Sequence, residues 1–266
     1  MLNPNLINQL RSQVPLVHNI TNIVVANFVV NGLLAMGASP FMADDEQEME
    51  DVAKISNVLS INIGTLNQQS FKAMMSAAKF TQQQHKPLLL DPVGCGATSL
   101  RQHKSIELLE NNQFSAIRGN AGELAYLAGI NWQVRGVDAG AGNANLAEIA
   151  LTVAKKYQCL VVLTGETDYL SDGYRIVAVK GGSALLPMVT GSGCLHGALC
   201  AAFLAIEISL SSLVTACAFY SVAAEYAEQK TRNINGASGS FIPYFLDALS
   251  QVSAQDIKKY AQVEEF

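Results

Sequence analysis

The chain has 266 residues, half of them apolar, and a net charge of −5 with a pI near 5.4. It contains no basic run, so it lacks the positive stripe with which nucleic-acid binders displace counterions from phosphate. Charged residues make up 15% of the chain, against roughly 25% in an average soluble protein, which implies extra burial in a thick multilayer core or an oligomer interface.

The five cysteines (Cys95, Cys159, Cys194, Cys200 and Cys217) are odd in number and show no Cys-x-x-Cys or Cys-x-x-His spacing. Neither a disulfide framework nor a zinc site is expected, and reduced thiols in a cytoplasmic protein are the economical reading. Met1-Leu2-Asn3-Pro4 lacks the basic and apolar regions of a signal peptide. Residues 195–226 are rich in Ala and Leu, but Glu207 and the serines after it interrupt the run that a membrane span needs. Two buried helices joined near Ser209 are expected there.

Residues 14–19 read as a strand and 23–36 as a helix, with Thr21 or Asn22 as its cap. Residues 39–43 form a short strand, 47–57 a helix, and 58–63 a strand ending at Gly64. A polar helix at 68–84 precedes the strand 87–90, which ends at Asp91-Pro92. A helix at 99–111 leads to the strand 114–117 and the turn Arg118-Gly119-Asn120. Residues 121–128 are helical, 136–142 form a glycine-rich surface loop, and 145–157 form a helix. The continuous apolar strand 159–163 follows, then a hairpin of 167–170 and 175–179 across Ser171-Asp172-Gly173. Two long helices and a last one at 241–250 complete the chain.

This alternation implies parallel strands buried on both faces and joined by crossover helices. The expected fold is one three-layer α/β/α domain over residues 1–266. Its central sheet is mostly parallel, with an antiparallel hairpin at one edge. Sheets of this class bind ligands at the carboxyl ends of their strands.

Val189-Thr190-Gly191-Ser192-Gly193-Cys194 opens a helix rich in small residues. A helix N-terminus offers unpaired N–H groups and partial positive charge, and glycines let backbone approach an anion closely. Gly191, Ser192 and Gly193 are thus candidates to stabilise a migrating phosphoryl group; a ligand-free helix start fits the same residues. Cys194 falls in the first turn, where a thiol is expected to have a lowered pKa.

Asp91 and Glu123 are carboxylates at strand ends, fit to hold magnesium through water, and Arg118 is fit to grip a phosphate. Alone, Asp91 reads equally as a turn former and Glu123 as a first-turn acid. Thr164 can offer a hydroxyl to nucleotide phosphates or simply sit in a turn. Asn22 is either the helix cap or a hydrogen-bonder to substrate. No P-loop and no dinucleotide fingerprint is present. The histidines lack ligand spacing, and His196 lies on a different side of its helix from Cys194.

Six segments together resemble the hydroxyethylthiazole kinase family. They are Val17-His18-Asn19-Ile20-Thr21-Asn22, Met36-Gly37-Ala38-Ser39-Pro40, Asn62-Ile63-Gly64-Thr65-Leu66, Asp91-Pro92-Val93-Gly94, Ile117-Arg118-Gly119-Asn120-Ala121-Gly122-Glu123, and Thr190-Gly191-Ser192-Gly193-Cys194. The resemblance implies a ribokinase-like fold and transfer of the ATP γ-phosphate to 4-methyl-5-(2-hydroxyethyl)thiazole in thiamin salvage. It also implies a homotrimer with sites at subunit interfaces. By the same resemblance Asn22, Met42 and Gly191 would contact the thiazole, Arg118 and Thr164 would bind ATP, and Asp91 and Glu123 would organise Mg²⁺. The wider superfamily has Asp as catalytic base where this chain has Cys194, and thiazole kinases resemble one another in having Cys. Cys95 and Ser192 depart from the family's usual residues conservatively.

The rival readings are an ATP- or ADP-dependent NAD(P)H-hydrate dehydratase and a kinase for another vitamin-precursor alcohol. Both would carry Asp in place of Cys194. A regulator with a dead site would lack the glycines or Glu123, and all are present.

Overall fold

The computed structural model describes residues 1–130, 132–135, 138–141 and 145–266. The first half runs α1 (Leu6–Gln13), β1 (Leu16–Ile20), α2 (Ala26–Met36), β2 (Ser39–Met42), α3 (Met49–Ile55), β3 (Val58–Asn62), α4 (Gln68–Gln83), β4 (Leu88–Asp91) and α5 (Ser99–Asn111). It continues with β5 (Ala116–Asn120), α6 (Ala121–Ala128), the small hairpin β6 (Gln133–Arg135) and β7 (Asp138–Ala141), then α7 (Leu146–Tyr157) and β8 (Leu160–Thr164). The last third is β9 (Thr167–Ser171), β10 (Ile176–Lys180), α8 (Ser192–Leu204), α9 (Leu210–Asn233), α10 (Ser238–Gln251), α11 (Ala254–Tyr260) and β11 (Gln262–Glu265).

Nine strands form one sheet in the order β11-β10-β9-β8-β5-β4-β3-β1-β2. From β2 to β8 every pairing is parallel, and β9, β10 and β11 add antiparallel. The apolar runs of the parallel strands follow from burial on both faces. Leu89 belongs to the core that includes α1, α2, α8, α9 and α10, whereas Leu88 and Leu90 belong to the core that includes α3 and α4 on the opposite face. The Phe203, Phe219, Phe241 and Phe245 side chains are fully buried in the first layer, each contributing about 1.5–3 kcal/mol of transfer free energy.

Strand order reverses between β1 and β3, and in open α/β sheets the crevice beyond the carboxyl ends at such a point is where ligands lie. Asn22, Asn62 and Gly64 follow or end those two strands.

Several boundaries differ from expectation for identifiable reasons. Helix α2 starts at Ala26 with Val25 at its cap position and no side-chain cap, because a turn closed by the Val25 N–H on Asn22 O intervenes and leaves Asn22 three residues before that position. The 47–57 helix divides into a 3-10 turn at Glu46–Glu48, capped by Asp45, and α3. Arg118 lies within β5 rather than in a turn, because β8 pairs with β5 as far as Asn120 and Thr164. The hairpin adds antiparallel as expected, but it is not the edge itself, because β11 pairs outside it. Its sequence Gln-Val-Glu-Glu is too polar to signal a strand, and it is held by backbone bonds and a Lys180–Glu264 ion pair of 2.6 Å. Of the expected glycine-rich loop, 138–141 is a strand paired with 133–135, while 136, 137 and 142 lie outside the described residues. Ser209 caps α9 and marks the break between two buried helices, as expected. No helix among the described residues is long and apolar enough to cross a membrane.

His18, on β1, is fully buried, and its Nε2 donates to the Ala43 carbonyl at 2.9 Å while Nδ1 has no partner. Burial pushes its pKa down from 6.5 to about 4, opposed only by that hydrogen bond. Between those two values the unfolded chain binds the extra proton, so stability falls as pH is lowered through the window. The full effect is about 3 kcal/mol. The raised carboxyls of Glu123 and Asp91 act with the opposite sign over the same range, so the test is the difference between wild type and His18→Gln in denaturant unfolding. That difference should change by about that amount between pH 7 and pH 4, and a difference independent of pH would remove His18 as a source.

Candidate active site

The carboxyl ends of β1, β3, β4 and β5 and the N-terminus of α8 bring one set of polar side chains together. Asn62 ends β3 in register with Asp91 at the end of β4. Its Nδ2 donates to Asp91 Oδ2 at 2.8 Å, and its Oδ1 accepts the Gly64 N–H at 2.9 Å and an Asn22 Nδ2 hydrogen at 3.2 Å. The Asn22 amide also donates to Cys194 Sγ at 3.2 Å. Arg118 reaches from β5, with Nη1 at 3.5 Å from Asp91 Oδ2. Gly64 must lack a side chain, because a Cβ there would stand 2.7 Å from Asn22 Nδ2 and 2.9 Å from Asn62 Oδ1.

Helix α8 enters between these groups because its first turns are small. A Cβ on Gly193 would stand 3.0 Å from Arg118 Nη2, and one on Gly197 would stand 3.2 Å from Asp91 Oδ2. Gly191 caps the helix at φ +88°, tight against Val25, in a conformation that favours glycine. The Ser192 N–H donates to Val189 O at 3.2 Å, and its hydroxyl donates to Leu186 O at 2.8 Å.

Asp91 is 1% exposed, and its Oδ1 has no hydrogen-bond partner. Burial pushes its pKa up against the opposing Arg118 charge and the Asn62 hydrogen bond. Glu123, also buried, accepts the Gly94 N–H at 2.8 Å through Oε1 and the Asn120 N–H at 2.7 Å through Oε2. The second bond completes a capping box with Asn120, so Glu123 does serve its helix start. Burial first, then the Asp91 charge, pushes it up to about 7. Burial favours deprotonation of Arg118, but the carboxylates of Asp91 and Glu123 outweigh it and keep the guanidinium charged. Two buried carboxylates, one with an unpartnered oxygen, are hard donors that fit a hydrated Mg²⁺.

On the far side of Arg118 a cleft of about 420 Å³ opens, lined by Arg118, Thr164, Asp168, Ser192, Gly193 and His196 among others. The Thr164 hydroxyl donates to Gly119 O at 3.3 Å. A larger groove of about 970 Å³, with Phe71, Lys72 and Lys104 in its walls, runs between α4 and α5 away from these groups.

Asn22, Asp91, Arg118, Glu123 and the 191–194 segment therefore meet, and Thr164 shares the cleft with Arg118. Met42 ends β2 at the same sheet edge, in register with Asn19 and 37% exposed. Asn62 carried no role in the sequence reading. The signal was there, since an Asn at a strand end two residues before a Gly is placed to bond the next turn. The fold also gathers His196, Cys200 and Cys217, fully or almost fully buried, with ligand atoms within 4.8 Å of one another. Spacing along the chain hides this group, because Cys217 comes from α9.

The Cys194 thiol departs from expectation. It lies in the first turn of α8, yet its pKa is pushed up to about 11, first by burial and then by the Asp91 carboxylate. These outweigh Arg118, the asparagine hydrogen bonds and any helix-end field. The other four cysteines are buried, so alkylation reads Cys194 alone. Its rate with iodoacetamide should be low at pH 7 and climb about tenfold per pH unit toward pH 11; a rate already at its plateau by pH 8 would show a lowered pKa.

The model of the hydroxyethylthiazole kinase family matches residues 7–255. Hydroxyethylthiazole kinases of Histophilus somni and Listeria monocytogenes are each 49% identical to the chain. The first match covers 98% of the chain and 99% of the relative, and the second 97% and 96%. The solved hydroxyethylthiazole kinase of Pyrococcus horikoshii is 36% identical and superposes with a TM-score of 0.88 over 98% of both chains. A Staphylococcus aureus pyridoxal kinase solved with ADP is 13% identical, with a TM-score of 0.66 over 95% of this chain and 99% of its own, and shares the ribokinase-like fold. Agreement along nearly the whole length, in sequence and in backbone, shows that this chain belongs to the hydroxyethylthiazole kinase family.

Proposed function

We propose that the chain transfers the γ-phosphate of ATP to the hydroxyethyl group of 4-methyl-5-(2-hydroxyethyl)thiazole, a step of thiamin salvage, working over residues 1–266 as one kinase unit in the cytoplasm. One observation carries the reading. The N-terminus of α8 stands between the Asn22–Cys194 pair and the cleft lined by Arg118, Thr164, Ser192 and Gly193, so an alcohol held by the pair and a nucleotide in the cleft can meet across it. Five free thiols support the cytoplasmic placement.

Asn22, Met42 and Gly191 hold the thiazole alcohol, and Arg118 and Thr164 hold the ATP phosphates. With the Ser192 N–H turned to Val189, the anion-stabilising donors are chiefly the Gly193 and Cys194 amides. Asp91 and Glu123 hold Mg²⁺, which supplies charge neutralisation for the phosphate oxygens. Glu123 also ties the Gly94 and Asn120 turns together, so Asp91 Oδ1 is the freer donor of the pair. Cys194 stays a neutral thiol at pH 7 and positions the hydroxyl rather than removing its proton. A loose phosphoryl-transfer transition state needs little deprotonation of the attacking alcohol.

The homotrimer is the assembly that the family resemblance implies, and apolar residues beside the site support burial in a subunit interface. Ile23 is 80% exposed and Val24 69%, both adjoining Asn22, and Leu34 on α2 is also exposed. Exposed neighbours such as Ile23 and Val24 fit a contact surface, and the sparse charge of the chain accords with it.

ADP release measured with Mg²⁺, ATP and the thiazole alcohol should show turnover well above that with other vitamin-precursor alcohols; turnover with another alcohol only would overturn the substrate. Cys194→Ala should lower kcat by about 10- to 100-fold, short of the loss of up to 10⁴-fold that follows removal of a general base. Complete loss in a folded variant would restore the base role. Sedimentation at micromolar concentration should give three times the mass of one chain, and a monomer would remove the trimer.

A further inference from the structure

Asn62 is the hub through which the alcohol side of the site touches its carboxylate side. Its Oδ1 faces the Gly64 backbone N–H, which can only donate, at 2.9 Å. Its Nδ2 faces the Asp91 carboxylate at 2.8 Å, and an ionised carboxylate can only accept. Those two neighbours leave one orientation for the amide. The orientation propagates: Asn62 Oδ1 must accept from Asn22, so the Asn22 nitrogen is the atom turned inward. Both Asn22 hydrogens are then engaged, one by Asn62 and one by Cys194 Sγ, and its carbonyl oxygen is left as the acceptor for a ligand. On the other branch Asn62 occupies Asp91 Oδ2 together with Arg118, leaving Oδ1 without a partner.

We propose that Asn62 is a positioning residue for phosphoryl transfer: it fixes Asn22 as a hydrogen-bond acceptor toward the substrate hydroxyl and fixes which Asp91 oxygen is free. The inference rests on the kinase reading above. It gives the alcohol site a preference for a group that can donate a hydrogen bond. It also explains why Gly64 must lack a Cβ, since any side chain there would push apart the two amides that Asn62 joins.

Asn62→Asp separates this role from a purely structural one. The Asp side chain has the same shape and still accepts the Gly64 N–H, so the turn after β3 is kept. The donation to Asp91 is lost, and two carboxyl groups face each other instead. Groups that orient ligating carboxylates typically cost about 10- to 100-fold in activity when removed. Steady-state kinetics with the thiazole alcohol should show a kcat drop of that size in Asn62→Asp and in Asn62→Ala, with the KM for ATP little changed and circular dichroism showing a folded enzyme at the assay temperature. If the Asp variant fails to fold, Asn62→Ala carries the test. The double variant Asn62→Ala/Cys194→Ala should lose less than the product of the single losses, because Asn62 acts on the Cys194 thiol both directly and through Asn22.

Wild-type kcat in a folded Asn62→Asp enzyme overturns the proposal, and so does full additivity with Cys194→Ala. Wild-type turnover of the thiazole alcohol is the control. Its absence removes the substrate assignment and this inference with it, whereas a sound control beside an unimpaired variant removes the inference alone.

Discussion

The arrangement of the site follows from the burial of one carboxylate. Asp91 stands at the end of a central parallel strand where water does not reach it, and a charge there is costly unless it is paired and hydrogen-bonded. Arg118 from the neighbouring strand and Asn62 from the strand on the other side supply those partners through the same oxygen. Three adjacent strand ends are thereby tied by polar contacts that each depend on the others. The second oxygen, left without a partner, is the kind of exception that buried polar groups show where something else is meant to bind.

Helix α8 can approach this cluster only because its leading residues are small. Gly193 lies against the Arg118 guanidinium, Gly197 against the Asp91 carboxylate, and Gly32 on α2 leaves room for Leu195. The glycines that suit a close approach of backbone to a ligand first bring that backbone to the protein's own charged side chains. That packing also explains the Cys194 thiol. A first-turn position would lower its pKa in water, but here the helix end is driven into a site that already contains a carboxylate, and desolvation outweighs the helix field.

What was legible in the sequence was what local chemistry decides. Strand β4, helix α5 and helix α6 fall where apolar runs and caps put them, and the Ser171-Asp172-Gly173 turn lies between two antiparallel strands. What was not legible needed a neighbour. Asn22 does not cap α2, which starts after Val25; its amide hydrogens go instead to Asn62 and Cys194, forty and more residues away. Strand β11 is unreadable in a polar tail and exists because β10 has a free edge. The His196, Cys200 and Cys217 group is assembled by the packing of α8 on α9.

Alone, the sequence determined the fold class, the strand ends as the place for chemistry and most of the residues that gather there, since periodicity, turn residues and helix caps are local properties. Only the tertiary structure decided which of those residues touch, which way each amide faces and how burial moves each proton. Hydrogen-bond direction and desolvation depend on groups brought from distant parts of the chain, and no spacing along one segment encodes them.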